Sequence, residues 1–164
     1  MSTPSLPVKD HMTPNPITTS PTETVESVVK ILEEHRISGL PVVDETGKVV
    51  GIISEGDLLV RESPMKPPLY MTFLGSVIYF ESPATFHQHL KKSLGMLVQD
   101  VMTPKPLTTP PDACLTDVAQ LMLEKHIKRL PVVDAEHKLV GIITRHDLVR
   151  ALRSQIVPDL ADNT

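Results

Sequence analysis

Residues Val8 to Glu62 recur as Val98 to Leu152 with no insertion or deletion, at a constant offset of ninety positions and with about 24 of 55 residues identical. Each copy opens on Met12-Thr13-Pro14 or Met102-Thr103-Pro104 and passes through Leu40-Pro41-Val42-Val43-Asp44 or Leu130-Pro131-Val132-Val133-Asp134. It then reaches Gly51-Ile52-Ile53-Ser54 with Asp57, or Gly141-Ile142-Ile143-Thr144 with Asp147. An internal repeat limits the fold before any residue chemistry is weighed. Two copies are too few and too long for a solenoid, and each is too small to bury a comfortable core alone. The duplication therefore predicts two units packed on each other as one pseudo-twofold module.

Composition narrows the function classes. At 164 residues, with 40% hydrophobic and 22% charged residues, the chain can bury one good core. A formal net charge of -4 argues against a generic nucleic-acid binder, which needs Lys and Arg to neutralise phosphates. The lone Cys114 cannot form an intramolecular disulfide, and no charged-then-apolar leader opens the chain, so a cytoplasmic protein is expected. The most apolar segment, Leu69 to Phe80, is far short of a membrane span.

Within each repeat the order reads strand, helix, strand, strand, helix, an α+β pattern. The prolines Pro14 and Pro16, like Pro104 and Pro106, forbid helix and predict an extended arm entering a short strand around Ile17-Thr18 and Leu107-Thr108. Val25, Val28, Val29 and Leu32 then fall at i, i+3, i+4 and i+7, and Leu115, Val118, Ala119 and Met122 repeat the stripe. These are one-sided helices. Leu40 to Val43 and Val49 to Ile53 read as a hairpin around Glu45-Thr46-Gly47-Lys48, and repeat two turns through Ala135-Glu136-His137-Lys138 instead. Ser54 or Thr144 suits a helix N-cap, with Asp57 or Asp147 in the first turn.

Between the copies, residues 63–97 carry Pro64, Pro67 and Pro68 and the aromatics Tyr70, Phe73, Tyr79, Phe80 and Phe86, which is too apolar for a plain linker. Ser82-Pro83 starts, and Gly95 ends, a helix expected from about Pro83 to Leu94. The insertion either seals an exposed core edge or serves as a dimer contact or docking patch.

Leu-Pro-Val-Val-Asp, a hairpin, and Gly-Ile-Ile-(Ser/Thr)-x-x-Asp-Leu, written twice in register behind matching Met-Thr-Pro leads, resemble a tandem pair of cystathionine-β-synthase-type (CBS) domains. The likeness covers domain one at 8–62 and domain two at 98–154, about two thirds of the chain. It implies an intramolecular pair, the Bateman module, with two clefts, frequent homodimerisation, and regulation through adenosine-containing ligands such as AMP, ADP, ATP or S-adenosylmethionine. It further implies that Asp57 and Asp147 hold the ribose, that Ser54 and Thr144 bond ribose or phosphate oxygens, and that backbone near Thr18 and Thr108 meets the adenine edge.

The residues are compatible with that chemistry. Helix N-termini offer unpaired N–H groups to anionic oxygens, and a carboxylate there can accept from both hydroxyls of a ribose. Ser or Thr followed by Asp three residues later is equally what a simple capped helix uses. The copies differ where phosphate charge should matter: Ser38-Gly39 and Glu55-Gly56 stand in repeat one against Lys128-Arg129 and Arg145-His146 in repeat two. Basic residues of this kind suit phosphate, though a solvated surface also carries them, and the resemblance implies that they can serve the neighbouring repeat's cleft. Unequal clefts are expected.

Other candidates are weaker. His87 and His89 sit two apart on an expected helix and point to different faces, so they suit no metal pair. Cys114 lies at a helix start but in no Cys-x-x-Cys pattern that supports redox work, and Met12 and Met102 read as packing residues. No Walker loop, metal-ligand cluster or paired nucleophile supports an enzyme. The expectation is a regulatory module without a cofactor, acting on an unknown protein partner, with a constitutive dimerisation or interaction module as the alternative.

Overall fold

The structure, a computed structural model, describes residues 6–62, 70–73, 76–79 and 96–156. Repeat one supplies a 3-10 turn (Val8–Asp10), β1 (Thr13–Pro14), α1 (Val25–His35), β2 (Gly39–Val43), β3 (Val49–Ser54) and α2 (Glu55–Glu62). Repeat two supplies α3 (Val98–Val101), β6 (Thr103–Pro104), α4 (Leu115–Glu124), β7 (Arg129–Val133), β8 (Leu139–Thr144) and α5 (Arg145–Ile156). The apolar part of the insertion forms its own antiparallel hairpin, β4 (Tyr70–Phe73) with β5 (Ser76–Tyr79), in a register that pairs Tyr70 with Tyr79. The helix expected over Pro83 to Leu94, with His87 and His89, lies outside the described residues.

The two main sheets exchange their third strands. One has the order β2-β3-β6 and the other β1-β8-β7, so each repeat's Met-Thr-Pro arm completes the sheet of the other repeat. Thr13 pairs with Ile142 and Pro14 with Gly141, while Thr103 pairs with Ile52 and Pro104 with Gly51. Proline lacks a donor N–H, and it sits here on an edge strand where a central ladder is not interrupted. The glycines matched between the two repeats are explained by the same crossing: a Cβ on Gly51 would collide with Met102, and one on Gly141 with Met12. Met12 and Met102 therefore pack as knobs over bare backbone.

The cores follow the exchange. Val8 of repeat one is fully buried among Leu115, Val118, Met122, Leu130 and Ile143 of repeat two. Val98 and Val101 of repeat two are buried among Val25, Val28, Leu32, Leu40 and Ile53 of repeat one. Backbone bonds fasten each lead in place, Val8 N–H to the Ala113 carbonyl at 2.9 Å and Val98 N–H to the Glu23 carbonyl at 2.8 Å. Neither copy closes its core alone.

Local sequence accounts for the elements. Helix α1 buries Val25, Val28 and Leu32, and its N-cap Thr24 accepts from the Ser27 N–H at 3.2 Å. It ends on Arg36, whose φ of 51° is the left-handed cap conformation. The hairpin turns are the same in both repeats despite their different composition: Gly47 has φ 81°, and His137 takes the equivalent left-handed position at φ 63°. Histidine is among the residues that tolerate that region. The two turns touch, with Leu139 N–H donating to the Gly47 carbonyl at 3.1 Å, so the pseudo-twofold axis runs between them. The expected strand at Ile17-Thr18 reduces to one parallel bridge, Thr19 with Val42. Asn15 at φ 44° turns the arm before it gets there.

Candidate functional site

Because the arms cross, each cleft is built from both repeats. The Asp57 cleft, about 490 Å³, takes Ser54, Glu55 and Asp57 from repeat one and Thr103, Lys105 and Leu107 from the arm of repeat two. His126, Lys128 and Arg129 close its far side. The Asp147 cleft, about 430 Å³, takes Thr144, His146 and Asp147 from repeat two and Asn15 and Ile17 from the arm of repeat one. Arg36, Ser38 and Gly39 close it, and Arg129 lines this cleft as well. Both volumes suit a small organic ligand.

The two carboxylates are held as caps. Asp57 Oδ2 accepts from the Ser54 N–H and Oγ, each at 2.8 Å, and Asp147 Oδ2 accepts from the Thr144 N–H at 2.9 Å and Oγ1 at 2.7 Å. This is the capping arrangement, and it fixes each carboxylate at a helix N-terminus whose partial positive charge favours anions. The second oxygens differ. Asp57 Oδ1 accepts from Thr103 Oγ1 of the exchanged arm at 3.0 Å, whereas Asp147 Oδ1 is taken by Arg150 at 2.8 Å. Asp147 is also the more buried, at 5% exposure.

Of the twelve residues the sequence singles out, nine line a cleft. Ser54 and Asp57 share one with Lys128, and Thr144, His146 and Asp147 share the other with Gly39. Ser38 and Arg129 line both. Thr18, Thr108 and Arg145 line neither. Thr19 is stitched to β2, its N–H donating to the Pro41 carbonyl at 3.1 Å and its carbonyl accepting from Val43 at 3.0 Å. That turn carries Thr18 to a smaller concavity of about 320 Å³, lined by Glu23, Asp44 and Glu45 and by no basic residue. Thr109 makes the same pair of bonds to Pro131 and Val133. The residues that enter the clefts are one step earlier, Ile17 and Leu107, exposed at 38% and 46%. Arg145 turns back on its own repeat instead, where Nε donates to the Ile127 carbonyl at 2.9 Å and Nη2 to the Met122 carbonyl at 3.3 Å. It thereby braces the turn that follows α4, where the Met122 carbonyl also accepts from the Ile127 N–H at 3.1 Å.

Arg129 is the least symmetric feature. Its backbone begins β7 opposite Thr144, but its guanidinium crosses to repeat one, donating to Ser38 Oγ at 2.9 Å. The place it occupies is where a Cβ on Gly39 would stand. Burial pushes its pKa below the usual arginine value while Glu55 and Asp57 pull the other way, and arginine remains cationic throughout. Sequence reasoning missed Arg36, Lys105 and His126, which the exchange and the left-handed caps bring to the clefts. The matching left-handed φ of Arg36 and His126 places them equivalently.

The CBS domain family model matches residues 8–63 and 98–154. The chain belongs to the CBS domain family. This CBS pair is 41% identical over 140 residues to the chloroplastic CBS domain-containing protein CBSX1 of Arabidopsis thaliana, covering 80% of this chain and 56% of that protein. It thus spans little more than half the length of that relative. An uncharacterised protein of Methanocaldococcus jannaschii is 38% identical over 152 residues, covering 88% and 90%. The crystal structure of CBSX2 in complex with AMP superposes with a TM-score of 0.69 at 36% identity, covering 92% of this chain and 97% of that one. The CBS domain pair of protein MJ0100, in complex with 5'-methylthioadenosine and S-adenosyl-L-methionine, gives 0.68 at 28% identity, covering 93% and 99%. Inosine-5'-monophosphate dehydrogenase of M. jannaschii is 32% identical, but the match spans only 21% of that enzyme. Among the described residues, no helix is long and apolar enough to cross a membrane.

Proposed function

We propose that this CBS pair senses adenosine-containing ligands, of the AMP, ADP, ATP or S-adenosylmethionine class, and does no chemistry itself. One observation carries the reading: each cleft sets a capped carboxylate from one repeat beside an exposed apolar side chain from the other, Asp57 with Leu107 and Asp147 with Ile17. An apolar face suits an adenine ring, and a carboxylate at a helix N-terminus suits ribose hydroxyls. Ser54 and Thr144 stand beside these carboxylates to bond further ligand oxygens. In the Asp57 cleft, Lys128, Arg129 and Lys105 supply phosphate-binding charge against the opposing Glu55; in the Asp147 cleft, Arg36, His146 and Arg129 do so. The AMP-bound and S-adenosylmethionine-bound relatives support this ligand class.

Sensing requires a second state, because a ligand shifts an equilibrium only by its differential affinity for two states. The partner is proposed to be a protein, reached through a homodimer. Leu123, Val149 and Leu152 stay more than half exposed on α4 and α5, which favours such an interface. The same three residues favour the second reading, a constitutive dimerisation or interaction module whose clefts bind nothing.

Thermal melts with AMP, ADP, ATP and S-adenosylmethionine separate the two. A ligand at a hundred times its dissociation constant adds about 2.7 kcal/mol, which at about 2–4 °C per kcal/mol raises the melting temperature by about 5–11 °C. No shift with any of these ligands refutes the sensor. With a shift, Asp57→Ala and Asp147→Ala assign it to a cleft.

A further inference from the structure

There is one Arg129 and there are two clefts. At the ninety-residue offset its counterpart is Gly39, so the pseudo-twofold axis that duplicates Asp57 as Asp147 and Leu107 as Ile17 does not duplicate this guanidinium. Gly39 is the bare backbone over which it lies, and any side chain there would evict it. Its backbone belongs to the sheet of the Asp147 cleft, through the pairing of Arg129 with Thr144. Its head group belongs to the other, bonded to Ser38 and facing the charges of Glu55 and Asp57. Ser38, its hydrogen-bond partner, also lines both clefts.

We propose that the two clefts compete for Arg129, so that a phosphate-bearing ligand in one lowers the affinity of the other. The inference rests on the clefts binding phosphorylated adenosines, and names how the two sites regulate each other. An arginine binds phosphate best through its planar fork, two parallel N–H bonds to one group, and the fork is committed to one phosphate at a time. The side chain lies where both clefts reach it, and its hydrogen bond to Ser38 is to a neutral hydroxyl that a phosphate in either cleft can outcompete. A ligand without a phosphate makes no claim on it. By linkage the penalty is reciprocal: whatever factor occupancy of the first cleft imposes on the second, the second imposes on the first.

The test isolates each cleft with the full chain. Leu107→Trp fills the apolar wall of the Asp57 cleft and Ile17→Trp that of the Asp147 cleft, and both positions are exposed enough to accept indole without disturbing a core. Calorimetric titration with AMP is compared with adenosine, each variant first shown to melt cooperatively. We expect a gain on blocking: the product of the AMP association constants measured in the two blocked variants exceeds the product of the two stepwise constants of the unsubstituted chain at least fivefold. Adenosine shows no such gain, and adding Arg129→Ala removes it. Equal products with and without the blocks, a smaller product in the blocked variants, or a gain that survives Arg129→Ala overturns the shared arginine. Absence of any AMP binding to the unsubstituted chain overturns the sensor reading itself, which is a different result.

Discussion

Gly51→Ala tests the exchanged arms at a single atom. A Cβ on Gly51 falls on the sulfur of Met102, with Met102 Cγ at 3.1 Å and Cε at 3.3 Å. All three neighbours belong to one flexible side chain, so the methyl does not meet rigid backbone; it drives Met102 out of its seat. Overpacking of this kind costs about 1–3 kcal/mol, and a chain of this length loses about 2–4 °C of melting temperature per kcal/mol, so the expected fall is about 2–12 °C. Gly141→Ala against Met12 should behave alike, because the contact distances are nearly the same.

The discriminating measurement is the double-mutant cycle rather than the single variant. Met102→Ala empties the space the new methyl needs, so Gly51→Ala should cost less in that background, with a coupling of about 0.5–3 kcal/mol. In an unexchanged pair, the arm over Gly51 would carry Met12 instead. Chemical denaturation of Gly51→Ala with Met102→Ala and with Met12→Ala therefore decides between two topologies. Coupling to Met12, or additivity with both methionines, refutes the exchange.

Two further perturbations follow from the asymmetry of the site and from the hairpin turn. Arg150→Ala removes the ion pair to the buried Asp147 while the two Thr144 bonds remain; Arg150 is largely exposed, so the loss is about 1 kcal/mol. The same change frees Asp147 Oδ1, so AMP binding in that cleft should tighten in calorimetry even as the melting temperature drops, and unchanged or weaker binding counts against a ribose role for Asp147. Asp44 is held below the usual carboxylate range, first by the Thr46 hydroxyl and then by the Lys48 N–H. A depressed folded pKa stabilises above the unfolded value and is lost as pH falls through the folded one, so Asp44→Asn should flatten the acid limb of a stability profile while NMR titration of Asp44 in the unsubstituted chain gives a low midpoint.

The repeat, its element order and its apolar stripes were legible because each is local: helix periodicity, turn composition and a Ser/Thr-x-x-Asp cap are written within a dozen residues. The exchange was not, since both copies carry the same arm and the same receiving strand, and nothing in the pattern says which arm meets which. That ambiguity propagated to the site. The sequence leaves Lys128 and Arg129 open to either cleft, and the folded chain puts both beside Asp57. Thr18 and Thr108 stand one residue past Ile17 and Leu107, which line the clefts, in arms that turn at the left-handed Asn15 and Lys105. Arg145 looked like a phosphate ligand by charge alone, whereas two backbone carbonyls hold it elsewhere.

Ser54 and Asp57 carry the remaining ambiguity, and exchange gives a way through it. A capping box explains the bonds within each helix start, so those bonds are not evidence for a ligand. What capping does not require is that Thr103, from the other repeat, should donate to Asp57 as well. That bond joins the exchanged arm to the carboxylate that faces the cleft; a carboxylate oxygen accepts two hydrogen bonds, so a ligand hydroxyl can join Thr103 at Asp57 Oδ1 while the pairing of Thr103 with Ile52 and Pro104 with Gly51 holds β6 in place. Under the proposed function a ligand at this oxygen touches both repeats through one atom, and it acts as a sensor only by the difference of its affinity between two arrangements of that contact.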